Sequence, residues 1–139
     1  MTPDLLRLAT FWRLLARVRR LRVQRRLREM AQARRAERQA AGAVATHIDA
    51  LEQHAEARLR VVAACRSDAR TRGQWQATLR RHDARLPDLQ DQLDDAERAH
   101  ARAREDAALA LANWRRETIR QEEADRRARD CLIGLRGTD

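Results

Sequence analysis

The sequence predicts an all-α fold, a long two-helix antiparallel coiled-coil hairpin. Three observations carry that expectation. Of the 139 residues, 37% are charged and only 3% aromatic, with four Gly, two Pro and no Tyr, which is the composition of long helices sharing a thin seam. Apolar residues recur at alternating steps of three and four along two stretches of similar length, the signature of left-handed coiled coils. One short polar segment separates the two stretches, so the second helix must return alongside the first. A mean hydropathy of −0.79 leaves room for a single domain and excludes a thick layered core.

Helix one is expected over about residues 4–66. Pro3 and Asp4 open it well, because proline is tolerated in the first turn and an acid there complements the helix dipole. Gly42 lies inside this stretch, but a lone glycine costs only about 1 kcal/mol and does not end a long helix. The expected seam reads Val23, Leu27, Met30, Ala41, Val44, Ile48, Leu51, Ala55, Val62 and Cys65, weakened by Arg34, Glu37 and Arg58 at seam positions.

The turn is expected at about residues 67–73, from Ser67-Asp68 to Gly73. Helix two follows over about 74–135 and holds the more regular repeat: Trp75, Leu79, His82, Leu86, Leu89, Leu93, Ala96, His100, Ala103, Ala107, Ala110, Trp114, then Glu117, Gln121, Ala124, Ala128, Cys131 and Leu135. Pro87 removes one backbone hydrogen bond and crowds the preceding turn, which predicts a kink near Asp83 to Leu86 or a break that frees 74–85 as a separate short helix. In an antiparallel pair the facing residue numbers add to about 140. Leu51 then lies opposite Leu89, Val44 opposite Ala96 and Leu27 opposite Trp114. A rod of roughly 90 Å follows at 1.5 Å per residue. It places Cys65 near the turn and Cys131 near the termini, outside disulfide reach.

The amino end departs from this pattern. Leu5, Leu8, Trp12 and Leu15 form one apolar stripe there, while Phe11, Leu14, Val18 and Leu21 form another, and one partner helix cannot cover both. The charge is concentrated in the same place. All 30 cations are Arg, the net charge is +9, and residues 1–38 hold twelve Arg against Asp4, Glu29 and Glu37, leaving the rest of the chain neutral. The expected partner-binding residues are therefore Phe11, Trp12, Arg13, Arg17, Arg19, Arg20 and Arg22, apolar contacts bordered by guanidinium groups.

Catalysis needs convergent groups in a pocket, which a two-helix rod does not provide; no nucleophile motif or glycine-rich phosphate loop is present, and no cofactor is expected. His47 and His54 stand seven apart on one face, two helical turns, too far for one metal ion. His82 and His100 fall in the seam as polar interruptions. A basic nucleic-acid-binding coiled coil is disfavoured because Leu14, Leu15, Val18, Leu21 and Val23 interrupt the arginines and no parallel zipper follows. An amphipathic membrane-surface helix over 5–22 is a further reading. No apolar run reaches the length of a membrane span, and Met1-Thr2-Pro3-Asp4 does not read as a signal peptide, so the chain is expected to be cytoplasmic.

The stretch Ala110-Leu111-Ala112-Asn113-Trp114-Arg115-Arg116-Glu117 resembles the Ala-Leu-Asn-Ser-Trp-Arg-Glu stretch of the second helix in flagellar members of the YscO/FliJ-type stalk proteins of type III secretion and flagellar export. Trp75, just after the turn, also stands near where those members open their second helix with Trp. The resemblance implies a non-catalytic central stalk that inserts into the pore of a hexameric export ATPase, links it to the export gate protein, handles secretion chaperones, and sits peripherally at the cytoplasmic face of the inner membrane. A generic coiled-coil scaffold or adaptor is the alternative that the residues alone support.

Overall fold

A computed structural model describes residues 3–137; Met1 and Thr2, half of the segment read against a signal peptide, lie outside the described residues. The fold is an all-α helical hairpin: α1 spans Pro3–Ser67 and α2 spans Arg72–Gly137, and the two pack against each other. Each end has a local cause. Asp4 stands in the first turn of α1 and Arg66 in its last, each opposite in sign to the dipole end it faces. The Asp68 N–H returns to the Ala64 carbonyl at 3.3 Å, and Arg72 Nε donates to the Cys65 carbonyl at 3.2 Å, so carbonyls that the helix leaves without partners are satisfied.

The connection is shorter than the sequence predicts, residues 68–71 rather than 67–73. Asp68 Oδ1 accepts the Arg70 N–H at 3.0 Å, a side-chain turn of the kind Asp favours. The Thr71 carbonyl then takes the N–H groups of both Gln74 and Trp75, at 3.0 and 3.1 Å, which begins α2 before Gly73 and places that glycine inside the helix. At Pro87 the helix continues; the expected alternative, a separate helix over 74–85, does not occur.

Packing divides the hairpin into two units, one formed by Met1–Arg35 with Glu105–Asp139 and the other by Ala36–Arg104. In the terminal unit the most buried positions are Ala9 (4%), Ala16 (2%) and Ala124 (2%), joined by Met30, Ala107, Glu117 and Leu135. Alanine at the contact lets two helices approach closely. In the unit nearer the turn, Val61, Leu89 and His54 are the buried residues. No large side chain is fully buried among the described residues, as a two-helix seam requires.

The register shows directly in cross-helix contacts. Within the terminal unit Arg20 meets Asp125, Arg19 meets Glu117 and Trp12 meets Arg127, pairs whose numbers add to 145, 136 and 139. Nearer the turn Arg58 meets Asp83 and His54 meets His82, adding to 141 and 136.

On α2 the residues Leu79, Leu86, Leu93 and Trp114 are half-buried and Leu89 is buried; on α1 Val44 and Leu51 are half-buried. Five expected seam residues turn outward instead: Leu27, Ile48 and Trp75 are 44%, 41% and 37% exposed, and Ala41 and Ala55 are exposed as well. In α1 their places are taken by the preceding residues: Arg26, Ala40 and His47 are half-buried and His54 is buried. Every seventh residue from Arg26 through Ala33, Ala40, His47 and His54 to Val61 faces inward. Trp75 lies in the first turn of α2, before the packed stretch begins at Ala77.

Candidate partner-binding surface

The seven residues expected to grip a partner separate into two groups. Trp12 is half-buried, with the Arg127 guanidinium 4.7 Å above its ring centroid and the Phe11 ring meeting it edge-on at 5.3 Å. That cation–π contact belongs to the hairpin's own packing. Arg19 pairs with Glu117 at 3.7 Å and Arg20 with Asp125 at 2.9 Å; Gln121 Nε2 steadies the same Asp125 carboxylate at 3.1 Å. Trp12, Arg19 and Arg20 therefore join α1 to α2.

Phe11, Arg13, Arg17 and Arg22 remain open. Phe11 is 54% exposed, and the three arginines are exposed with no ion pair among the described residues. Around them α1 presents Leu14, Val18 and Leu21, at 56%, 43% and 63% exposure. Beside this row a groove of about 660 Å³ runs between Arg13, Leu14 and Arg17 on α1 and Asp125, Arg129 and Leu132 on α2. Its floor is apolar and its rim mainly guanidinium, a surface suited to protein contact. The other face of the amino-terminal segment is less uniform than its stripe implies: Leu5, Trp12 and Leu15 are half-buried, but Leu8 is 45% exposed and Ala9 and Ala16 are the residues that pack.

A second polar cluster is not apparent from the sequence, because no single helix reveals it. His54 Nε2 lies 2.8 Å from the His82 carbonyl, the two rings are 5.0 Å apart, and Arg58 Nε donates to Asp83 Oδ1 at 2.7 Å. Hydrogen bonding from Arg58 holds the Asp83 carboxyl below the usual carboxylate range, and the same bond raises the Arg58 guanidinium. The cluster lies in the turn of α2 just before Pro87, whose ring crowds the Asp83 carbonyl. The register rule contains the signal, since 54 with 82 and 58 with 83 fall near its sum.

Neither His47 nor His100 joins this cluster, and no group of three or more His, Cys, Asp or Glu side chains able to hold a metal ion occurs among the described residues. Cys65 and Cys131 are both half-buried free thiols. No described helix is long and apolar enough to cross a membrane. The indole of Trp114, centre of the stretch that resembles export stalks, is half-buried in the seam, with its Nε1 buried and making no hydrogen bond among the described residues. Comparison with protein-family models, curated proteins and solved structures finds no match.

Proposed function

We propose that this chain is a non-catalytic coiled-coil stalk that couples a hexameric export ATPase to an export gate, with its terminal unit as the ATPase-facing grip. The observation that carries the reading is the exposed apolar row of α1 bordered by Arg13, Arg17 and Arg22, which have no ion pair among the described residues, in a hairpin whose other arginines of this segment, Arg19 and Arg20, are engaged in its own register. Two long helices closed on each other suit an element that transmits force or asymmetry, while hydrolysis stays with the ATPase. The resemblance of Ala110 to Glu117 to export-stalk proteins supplies the choice of partner, along with contacts to secretion chaperones and a peripheral position at the cytoplasmic face of the inner membrane.

Charge reversal tests the grip. Arg13→Glu, Arg17→Glu and Arg22→Glu together should abolish co-purification with the ATPase while the helical circular dichroism signal stays at the wild-type value. Retained binding would place the grip elsewhere on the hairpin. A scaffold or adaptor, the second reading, rests on the same surface and predicts that the chain binds a protein but leaves ATPase turnover unaltered.

A further inference from the structure

In the terminal unit α1 carries two heptad rows. The first, Ala9, Trp12, Ala16, Arg19 and Val23, is the buried and half-buried row that packs against α2. The second trails it by two positions at each step and comprises Phe11, Leu14, Val18 and Leu21. Two residues correspond to about 200° of helix rotation, so the second row looks away from α2, which accounts for exposures of 43% to 63%. Steps of three, four and three are the spacing that receives another helix, and isolated surface hydrophobes show no such period.

The row is bounded by charge on every side. Continuing the same repeat gives Arg7 before it and Arg25 and Arg28 after it, while Arg17 and Arg22 flank it at about 70° to either side. Arg25 is engaged only by Glu29 of its own helix, at 3.3 Å, and Arg7, Arg17, Arg22 and Arg28 have no ion pair among the described residues. Asp4 is the sole acid between residues 3 and 28.

We infer that this row receives a third helix, supplied by a partner protein, with an apolar three-four stripe bordered by Asp and Glu. Charge complementarity selects this occupant. A second copy of the chain would bring like-charged arginine borders together, which opposes pairing. For a lipid surface the expected anchor is Trp12, an aromatic suited to the interface level, yet its ring is held toward α2 beneath Arg127. The inference rests on the reading that the terminal unit binds protein and specifies what that protein presents.

The test uses the full chain and a labelled synthetic helix of about three heptads with a Leu/Ile stripe, made once with Glu at the flanking positions and once with Lys. Fluorescence anisotropy should show one-to-one binding of the Glu helix, about tenfold or more tighter than the Lys helix, and weakening with added salt. The double variant Val18→Glu, Leu21→Glu should lose about tenfold or more of that affinity with an unchanged melting curve, since both positions are solvent-facing. Equal affinity for the two peptides, no binding of either, or binding indifferent to the double variant would each overturn the inference. Flotation of the chain with vesicles of phosphatidylserine and phosphatidylcholine, lost in the double variant, would instead assign the row to lipid. A dimer in sedimentation equilibrium, lost in the same variant, would assign it to a second copy. If the peptide fails while the ATPase still co-purifies, the third-helix inference falls and the stalk reading stands. Peptide binding without ATPase association has the opposite meaning: the third helix stands and the stalk reading falls.

Discussion

Replacing Glu117 by Leu is expected to strengthen the hairpin. Glu117 occupies a seam position of α2 and is 8% exposed, yet among the described residues its carboxylate is reached only by Arg19 at 3.7 Å and Arg120 at 3.6 Å. Both separations exceed a charge-assisted hydrogen bond of about 2.7 to 2.9 Å, and Oε2 makes no hydrogen bond among the described residues. Desolvating a carboxylate costs several kcal/mol, which loosely placed partners do not return, whereas a leucine buried at the same point contributes about 1.5 to 3 kcal/mol. Glu117→Leu should therefore stabilise by about 1 to 3 kcal/mol, within the range found when buried ion pairs give way to apolar residues. Arg19→Met should do the opposite, costing about 1 to 2 kcal/mol, because it leaves the carboxylate with Arg120 alone. In the Glu117→Leu background the same change should cost less than about 0.5 kcal/mol, a coupling that a double-mutant cycle isolates. Urea unfolding followed by helical circular dichroism measures all four proteins. A Glu117→Leu variant about 1 kcal/mol or more weaker than wild type would show that the pair is net favourable, contrary to the desolvation cost of a buried carboxylate, and effects that simply add would show that Arg19 and Glu117 are not coupled.

Three further outcomes follow from the packing. Leu89→Ala should cost about 2 to 3 kcal/mol, because Leu89 is 7% exposed, while Leu27→Ala should stay within about 0.5 kcal/mol; equal costs would mean that α1 packs through Leu27 after all. Asp83→Asn should destabilise at neutral pH and lose that effect in acid. The Asp83 carboxyl is depressed in the fold by Arg58, so its contribution is present above the ordinary carboxylate value of about 4 and disappears as pH falls through the lower folded value; a difference from wild type that persists in strong acid would contradict this. Gly42→Ala should stabilise by about 0.5 to 1 kcal/mol, since Gly42 is helical and an added Cβ meets nothing within 4 Å, and urea unfolding reads it directly.

The α2 seam is legible in the sequence because it is almost one-phase: every residue of the three-four repeat from Leu79 to Leu135 is half-buried or buried. In α1 two phases compete. Val23, Met30, Val44 and Leu51 belong to both, and hydrophobicity alone selects Leu27 and Ile48 as their alternates. The chain packs instead through Arg26, His47 and His54. What favours the second phase is on the facing helix, where the His82 carbonyl lies 2.8 Å from His54 Nε2, and a pattern read along one helix does not contain it. The candidate site divides in the same way. Charge and apolar content single out the segment 11 to 22, but the split between Arg19 and Arg20, which hold the hairpin together, and Arg13, Arg17 and Arg22, which do not, depends on Glu117 and Asp125 standing about a hundred residues away. The short turn escapes a sequence reading because Gly73 resembles a breaker, although the Thr71 carbonyl already organises the first turn of α2 around it.

The stalk reading is tested most directly by the turnover of the export ATPase with and without the purified chain, together with the stoichiometry of the complex. One hairpin should bind per hexamer and ATP hydrolysis should be faster in its presence, with both effects lost when Arg13, Arg17 and Arg22 are reversed to Glu. A hexamer whose turnover and mass are the same with and without the chain would contradict a stalk function.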